Sequence, residues 1–450
     1  MSHYKPYPVY KDTGVEWLGR VPEHWEVSPL KYLISGIESG TSVNATDTPA
    51  GDGERGVLKT SCVYSGKFDP AENKAIVPEE YGRAACPLVV GSLIVSRMNT
   101  PDLVGAAGLV CQAPDGIFLP DRLWQVSFSG MIPTFSYYWS QSGSYRTQVK
   151  MVCTGTSSSM QNLSQDQFKD FVLGVPAEDE QQLIAAHLDR ETVRIDALIE
   201  KKTRFIELLR EKRQALITHT VTKGLDPNVK MKDSGLEWLG EVPEHWAVKR
   251  LKFIAVVQTG IAKGKDNAEK DTVVVPYLRV ANVQDGYLDL DEVATIEVST
   301  ADLPRYLLQP GDVLMNEGGD FDKLGRGHVW HGEIEPCIHQ NHVFAVRPHG
   351  VSSEWLNTFT SSAAAQFYFM GRSKQSTNLA SISSSNLMEL AVPLPSEEEQ
   401  RLILDGLHHQ ASQVNALLAQ TERSIELLKE RRSALITAAV TGQIDLRESA

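Results

Sequence analysis

Two long stretches with a seven-residue apolar repeat, 178–222 and 397–441, constrain the fold of this chain more than any other feature. Apolar side chains at seven-residue spacing, with charged residues between them, are typical of a helix that packs along another helix. The sequence therefore predicts two long paired helices, with one polar layer formed by Lys202 and Thr421. The predicted contact positions are Leu188, Ile195, Lys202, Leu209, Leu216, Leu407, Val414, Thr421, Leu428 and Leu435.

The chain is also a tandem repeat. Residues 14–25 recur as residues 235–246 with ten of twelve positions identical, and we call these two segments the tryptophan motifs. The two predicted helices begin and end alike, with Pro-x-x-x-Glu-Gln at the start and Ala-Leu-Ile-Thr near the end. Each copy therefore consists of a tryptophan motif, a globular domain and a long helix.

Short apolar runs broken by Gly and Pro predict that the globular domains are mainly β, with small helices at 168–171 and 353–370. Only about a dozen residues separate the first helix from the second tryptophan motif, so antiparallel helices are the economical arrangement. The predicted fold is α+β, with two mainly-β domains joined by two long antiparallel helices and an approximate two-fold symmetry. The predicted segments are 1–176 (tryptophan motif and domain 1), 177–222 (helix 1), 223–234 (linker), 235–395 (tryptophan motif and domain 2), 396–442 (helix 2) and 443–450 (tail).

Composition indicates a folded protein without a disulfide framework. No apolar run approaches the roughly 20 residues of a membrane helix, and the amino terminus lacks the apolar segment of a secretory signal. The five cysteines include no Cys-x-x-Cys pair, so we predict a cytoplasmic location. The net charge is −13, from 44 basic and 57 acidic residues, so nucleic-acid binding would need local basic patches or a basic partner.

The sequence contains no recognisable catalytic motif. It lacks Gly-x-x-x-x-Gly-Lys-Ser/Thr, the Asn-Pro-Pro-Tyr or Asp-Pro-Pro-Tyr signature of adenine methyltransferases, Gly-x-Ser-x-Gly and His-Glu-x-x-His. His328, His331, His339 and His342 could suggest zinc, but no nearby carboxylate or cysteine completes a ligand set. Strand and loop histidines are the alternative, and we predict no metal or cofactor bound by this chain.

Polar residues on the predicted loops are candidates for DNA contacts. Arg, Lys, Asn and Gln bind phosphate oxygens and base edges, although solvated loops have the same composition. The candidates are Lys59, Arg97, Asn99, Arg122, Gln161, Asn162, Arg279, Asn282, Asn316, Arg326, Asn341, Lys374, Gln375 and Asn378. The tryptophan motifs have two interpretations: they clamp each domain to the helix ends, or they form a surface that one kind of partner uses twice.

The duplicated tryptophan motif, helix start and helix end resemble those of the specificity subunits of type I restriction–modification systems. The resemblance covers nearly the whole chain. It implies that each globular domain is a target-recognition domain that reads one half of a split DNA site. It also implies that the paired helices set the gap and dock the modification subunits. Because the two domains differ strongly in sequence, the two half-sites should differ as well.

The same resemblance implies that catalysis resides in partner subunits. Two modification subunits would hold S-adenosylmethionine and form an adenine-N6 methyltransferase, and two restriction subunits would add an endonuclease that uses ATP and Mg. This chain would be non-catalytic and would bind double-stranded DNA. Two alternatives stay open: a two-lobed binding or scaffold protein for a ligand other than DNA, and an enzyme with an unrecognised active site.

Overall fold

The computed structural model describes residues 4–157, 160–263, 271–319, 324–376 and 379–447. The chain divides into two compact units. Unit 1 comprises Met1–Thr203 together with Arg423–Ala450, and unit 2 comprises Arg204–Glu422. Each unit therefore contains one globular domain, the first part of one long helix and the last part of the other.

The helices include two that are far longer than the rest, as the seven-residue repeats predict. The α-helices are α1 Pro133–Ser140, α2 Gly143–Val152, α3 Gln165–Lys169, α4 Glu178–Lys223, α5 Leu303–Tyr306, α6 Ser353–Thr360, α7 Ala363–Arg372, α8 Ser384–Met388 and α9 Glu397–Val440. One-turn and two-turn 3₁₀ helices occur at Leu30–Tyr32, Thr60–Val63, Pro78–Arg83, Leu251–Phe253 and Val280–Asn282. Within the described residues, no helix combines the length and the apolar composition that a membrane crossing requires.

The strands of unit 1 form small sheets. They are β1 Tyr10–Asp12, β2 Arg20–Pro22, β3 Glu26–Pro29, β4 Ile34–Ser39, β5 Gly56–Leu58, β6 Asn73–Ala75, β7 Leu93–Ser96, β8 Met98–Asn99, β9 Ala107–Leu109, β10 Ile117–Phe118, β11 Leu123–Phe128, β12 Thr154–Ser157, β13 Met160–Asn162 and β14 Val172–Val175. The largest sheet has the order β4-β11-β7-β9, and two three-stranded sheets have the orders β10-β5-β6 and β12-β13-β8. The pairs β1-β2 and β14-β3 complete the unit.

Unit 2 repeats this topology. Its strands are β15 Met231–Asp233, β16 Glu241–Pro243, β17 Ala247–Arg250, β18 Ala255–Thr259, β19 Thr272–Leu278, β20 Ala294–Ser299, β21 Val313–Asn316, β22 Gly318–Gly319, β23 Gly327–Val329, β24 Ile338–His339, β25 Val343–Pro348, β26 Lys374–Ser376, β27 Leu379–Ser381 and β28 Ala391–Leu394. The sheet orders β18-β25-β21-β23, β20-β19-β24 and β22-β27-β26 correspond to those of unit 1. The α+β fold predicted from the repeat is confirmed.

Two of the predicted small helices need correction. Helix α3 ends at Lys169, and β14 begins at Val172, so residues 168–171 are only partly helical. The segment 353–370 is not one helix, because α6 ends at Thr360 and Ser362 starts α7 by accepting a hydrogen bond from the Ala365 N–H. Helices α1 and α2 were not predicted, since aromatic residues dominate α1 and no clear apolar periodicity marks α2.

Each unit pairs the two long helices in opposite directions. In unit 1, which contains the start of α4 and the end of α9, Leu188 and Leu435 share one core and Asp196 pairs with Arg432 at 2.9 Å. In unit 2, which contains the end of α4 and the start of α9, Arg210 lies 3.2 Å from Glu422.

The remaining predicted contact positions lie on the same helices. Five of them are buried, namely Ile195, Leu209, Leu407, Val414 and Thr421. The other three, Lys202, Leu216 and Leu428, are half-buried. The Thr421 hydroxyl donates to the Leu417 carbonyl on its own helix. A central layer that joins Lys202 to Thr421 stays a prediction.

The tryptophan motifs pack against the carboxyl-terminal ends of the long helices. Gly224, with φ +80°, follows α4, and a Cβ there would lie 3.4 Å from Trp246. Gly442, with φ +70°, follows α9, and a Cβ there would collide with Pro22 at 2.2 Å. Glycine is therefore required at both helix ends, for its backbone conformation and, at Gly442, for the close approach of the motif.

The acidic helix starts hold the same motifs. In unit 1 the Glu180 carboxylate accepts from the Tyr7 hydroxyl at 2.7 Å and lies 2.9 Å from His24 Nε2. In unit 2 Glu399 accepts from Trp246 Nε1 at 3.0 Å and also contacts His245. The clamp interpretation of the motifs accounts for these contacts, because each repeated side chain is used inside its own unit.

The Gln of each helix start and the Thr of each helix end complete the clamp. Gln181 accepts from the Ile132 N–H at 2.9 Å, and Gln400 accepts from the Ser352 N–H at 3.2 Å, so each fixes the start of a domain helix. Thr437 accepts from the Gly143 N–H, as Thr218 does from the Ala363 N–H. The duplicated residues therefore form one framework that is built twice.

Candidate nucleic-acid interface

The polar candidates of unit 1 gather around the small sheet β12-β13-β8. In this sheet Gln161 pairs with Asn99 and Asn162 pairs with Met98. The Arg97 carbonyl accepts from the Leu163 N–H at 2.8 Å, and the Arg97 N–H donates to the Arg122 carbonyl at 3.1 Å. The fold thus brings together five candidates that are separated by up to 65 residues in the sequence, namely Arg97, Asn99, Arg122, Gln161 and Asn162.

These five residues are not equally free to bind a ligand. Asn99 is 8% exposed, and its amide donates to the Tyr64 hydroxyl at 2.8 Å while its oxygen accepts from the Thr100 N–H. Asn99 therefore positions Tyr64, which sequence reasoning missed and which is 39% exposed. Arg122 is exposed and makes no ion pair within the described part of the chain. Its guanidinium is available to a phosphate or a base edge.

Two buried polar atoms lie beside this exposed group. The Nε atom of Arg97 and the Oδ1 atom of Asn162 are inaccessible to solvent and have no hydrogen-bond partner among the described residues. An unpaired buried polar group costs free energy, so each one calls for an explanation such as an absent ligand or ion. Arg97 bonds Arg122 through its N–H, and its carbonyl bonds Leu163, the neighbour of Asn162. Lys59 differs from them, because it lies 3.7 Å from Glu72.

Unit 2 builds the equivalent site from β22, β27 and β26. The Ile382 N–H donates to the Glu317 carbonyl at 2.9 Å, and the Glu317 N–H donates to the His342 carbonyl at 2.9 Å. These bonds repeat those of Arg97 and Arg122, so Glu317 occupies the place of Arg97 and His342 the place of Arg122. The side chains of Glu317 and His342 contact each other at 2.8 Å. Two cations of unit 1 are thus replaced by an acid–histidine pair.

Several candidates of unit 2 support the backbone instead of facing solvent. Asn282 is 3% exposed, and its amide donates to the carbonyls of Asp289 and Glu292. Asn316 is 5% exposed and donates to the Val283 carbonyl, while its Oδ1 atom has no partner among the described residues.

The other candidates of unit 2 are more accessible. Arg279 and Lys374 are exposed, and Arg326 and Asn341 are half-buried. Asn341 lies 3.3 Å from the His342 ring, beside the site. The side chain of Gln375 and the whole of Asn378 lie outside the described residues.

The four histidines that could suggest zinc have other partners. His339 is fully buried, its Nδ1 lies 2.7 Å from the Val343 carbonyl, and burial lowers its pKa to about 4. His342 contacts Glu317, and the rings of His328 and His331 lie edge to face, with centroids 5.9 Å apart. Across the described ranges, no group of three His, Cys, Asp or Glu residues could hold a metal ion.

The long helices expose apolar residues at repeated positions. Leu183 and Leu402, Leu198 and Leu417, and Leu208 and Leu427 are each separated by 219 residues, and all six are between 40% and 57% exposed. Each unit therefore exposes three leucines at positions equivalent to those of the other unit. Sequence reasoning missed these exposed leucines, because the heptad pattern assigns only the residues between the helices. We call these six residues the paired leucines.

Comparisons with known proteins give one consistent family. A family model described as the type I restriction modification DNA specificity domain matches residues 243–427. The type I restriction enzyme EcoKI specificity subunit of Escherichia coli strain K12 is 22% identical over 451 residues, which cover 95% of this chain and 90% of that protein. The StySPI specificity subunit of Salmonella potsdam is 19% identical over 445 residues, with the same coverage of both chains.

Solved structures share the fold. A chain from a study of complex assembly and conformational transition of the type I R-M system has a TM-score of 0.69 at 17% identity, covering 94% of this chain and 99% of its own length. The HsdS subunit from Thermoanaerobacter tengcongensis has a TM-score of 0.53 at 18% identity, covering 94% and 98%. The matches confirm the family resemblance that the duplicated motifs predict.

Proposed function

Because this chain is a relative of the type I restriction enzyme specificity subunits, we propose that it gives a type I restriction–modification complex its DNA sequence specificity. Each unit would read one half of a bipartite site through its small sheet, β12-β13-β8 or β22-β27-β26. The chain would be non-catalytic. Its modification partners would supply S-adenosylmethionine and transfer the methyl group to adenine N6, and restriction partners would supply ATP- and Mg-dependent cleavage.

One observation supports this proposal: equivalent sites are built on a closely similar framework in the two units but with different side chains. His24 contacts Glu180 as His245 contacts Glu399, and Thr437 and Thr218 accept equivalent backbone hydrogen bonds in the two units. At the site itself Arg97 and Arg122 are replaced by Glu317 and His342. A constant frame with variable contact residues suits a protein whose two domains read different sequences. We therefore expect two unlike half-sites.

The chemistry of the contact residues favours DNA as the ligand. Arginine recognises guanine through its O6 and N7 atoms, and a carboxylate accepts from cytosine N4. The exposed Arg122 and the Glu317–His342 pair would thus suit different base edges. Because the net charge of the chain is −13, contacts to the duplex would depend on local basic patches or on basic partner subunits.

The paired leucines would dock two copies of one modification subunit. A repeated apolar surface on two long helices suits two identical partners, since each copy meets the same residues. The helices would also set the distance between the half-sites. Removing about one turn from both helices should shorten the gap in the recognised site and leave the half-site bases unchanged.

Mapping of methylated adenines in cells with and without the gene tests the proposal. We expect one gapped, asymmetric motif to lose methylation when the gene is deleted. Restoring the gene should restore the motif, and a copy with Arg97→Gln and Arg122→Gln should alter one half of it. An unchanged methylome would refute the proposal. In that case a two-lobed binding protein for another ligand becomes the better interpretation.

A further inference from the structure

Unit 2 carries a basic and aromatic surface outside the sheet site, formed by Arg250, Lys252, Phe253 and Arg372, which we call the flank patch. Phe253 is 64% exposed, and Lys252 Nζ lies 5.3 Å from the centre of its ring. Arg250 is the last residue of β17, immediately before the 3₁₀ helix that contains Lys252 and Phe253. Arg372 is the last residue of α7.

The cations of the flank patch lie close together. Glu389 contacts Arg250 at 2.8 Å and Lys252 at 2.5 Å, and these two cations lower the pKa of the Glu389 carboxyl. The Arg372 guanidinium lies 5.9 Å from the Tyr368 ring. Burial raises the pKa of Tyr368, and both Arg372 and Arg250 oppose that shift. Arg250 and Lys252 therefore share one carboxylate and Arg372 lies over the neighbouring Tyr368 ring, which leaves an excess of positive charge.

Unit 1 has no such excess at the equivalent positions. Pro29, Lys31, Tyr32, Val152 and Asp170 stand where unit 2 has Arg250, Lys252, Phe253, Arg372 and Glu389. The exposed aromatic ring and its lysine are kept, since Lys31 Nζ lies 5.6 Å from the centre of the Tyr32 ring. Lys31 is the one cation among these five residues, and Asp170 balances its charge at a distance of 3.3 Å.

The sheet sites show the opposite distribution of charge. Unit 1 has Arg97 and Arg122 at its site, whereas unit 2 has Glu317 and His342. A duplex needs cationic contacts to its phosphates in both halves, because phosphate contacts supply most of the affinity and fix the position of the protein. At its own sheet site unit 2 has Lys374 as an exposed cation, and the flank patch supplies further positive charge away from Glu317. The flank patch adjoins its sheet site, since Arg372 is two residues from Lys374, the first residue of β26.

We propose that the flank patch binds the phosphate backbone of double-stranded DNA next to the half-site that unit 2 reads, and that unit 1 has no equivalent contact. This proposal rests on the proposed function. Arg250 and Arg372 provide the phosphate contacts, and Lys252, held by Glu389 over Phe253, orders the surface between them. The contact is independent of sequence, so it contributes affinity and leaves the recognised bases unchanged.

The test uses the full chain assembled with its modification subunits and a duplex carrying the site mapped from the methylome. The double variant Arg250→Gln, Arg372→Gln should bind about tenfold more weakly at low salt, and the slope of log affinity against log salt should fall by about 2. Lys31→Gln, at the equivalent surface of unit 1, is the matched control and should leave both quantities unchanged.

A second measurement locates the contact on the DNA. Neutral methylphosphonate linkages placed outside one half-site should weaken binding of the unaltered complex, whereas the same linkages outside the other half-site should not. The double variant should be insensitive to both sets, and its methylated motif should be unchanged.

The outcomes separate this proposal from the proposed function. If the unaltered complex does not bind the duplex, both fail. If it binds and the double variant keeps the same salt slope, only the flank contact is overturned. Loss of the modification subunits from the double variant would assign the patch to a protein partner, and an equal effect of Lys31→Gln would remove the asymmetry. Either result overturns the proposal.

Discussion

The two units share the contacts at the ends of their long helices but differ in the side chains of their small sheets. In both units a glutamate at a helix start contacts the histidine of a tryptophan motif, and a threonine near a helix end fixes a domain helix. At equivalent points of the small sheets, however, Arg97 and Arg122 correspond to Glu317 and His342. The comparison teaches that the frame determines where a contact residue lies, and that its identity can change without disturbing the frame.

The cores of the largest sheets show a second difference. Unit 2 buries the carboxylate of Asp312 completely and pairs it with Arg347 at 2.7 Å. At the equivalent positions unit 1 has Ser92 and Ser127, and the Ser92 hydroxyl hydrogen-bonds within its own unit, to the Val89 carbonyl. One unit thus uses a charged pair where the other uses neutral hydrogen bonds, so the two should respond differently to substitution.

The largest expected effect is on recognition by unit 1. Replacing Arg97 and Arg122 with Gln should weaken binding of the site by about 2–6 kcal/mol, because each good bidentate base contact is worth about 1–3 kcal/mol. Methylation of the site should become slower as a result. The measurement is methylation rate on a duplex with the mapped site. Lys59→Gln is the control and should have little effect, since Lys59 is engaged with Glu72. Equal losses for the control and the double variant would contradict the assigned site.

The charged pair of unit 2 should give the next largest effect. Arg347→Met leaves Asp312 buried without its partner, which should cost about 3–5 kcal/mol. Ser92→Ala, the neutral counterpart, should cost about 1 kcal/mol. Hydrogen exchange measured peptide by peptide should show faster exchange in unit 2 for Arg347→Met and in unit 1 for Ser92→Ala. Similar costs for the two variants would show that the difference in charge has no energetic consequence.

The buried histidine of unit 2 should make that unit sensitive to acid. His339 has a pKa of about 4 in the folded chain, below the value of about 6.5 for a free histidine. Between these values the unfolded state takes up a proton that the folded state does not, so stability falls as pH decreases through this window, by about 3 kcal/mol at most.

The matched variant is His339→Leu, because Leu119 occupies the equivalent buried position in unit 1. Unfolding followed from pH 7.5 to pH 4.5 should show a weaker pH dependence in this variant. Some dependence should remain, since burial also lowers the pKa of His328. A variant with the full pH dependence of the original chain would exclude His339 as the cause.

The smallest effect should come from the paired leucines, and it should be equal in the two units. Leu198→Glu or Leu417→Glu should each weaken binding of one modification subunit by about 1–2 kcal/mol, because a leucine contact is lost to a charge. Titration of the chain with modification subunit would measure this loss. Val193→Glu is the control, since Val193 is 68% exposed but corresponds to the polar Ser412. A larger loss for Val193→Glu would place the docking surface elsewhere.

Sequence alone determined the repeated design of this protein. The nearly identical tryptophan motifs, the heptad spacing and the short linker predict two copies, two long helices and their antiparallel pairing, because these features depend on local pattern and chain length. The six candidates of unit 1 were selected from residue type alone, and five of them lie around one small sheet. Their division into exposed Arg122 and the supporting Asn99 could not be predicted, because it depends on hydrogen bonds to Tyr64 and Ser96.

Tertiary structure decided which residues correspond across the two units. Beyond the motifs the copies share little sequence identity, and equivalent backbone hydrogen bonds establish that Arg97 and Arg122 correspond to Glu317 and His342. The flank patch likewise draws Arg250, Arg372 and Glu389 from distant segments. Local periodicity fixes helices and strands, whereas charge clusters depend on long-range packing that no single segment encodes.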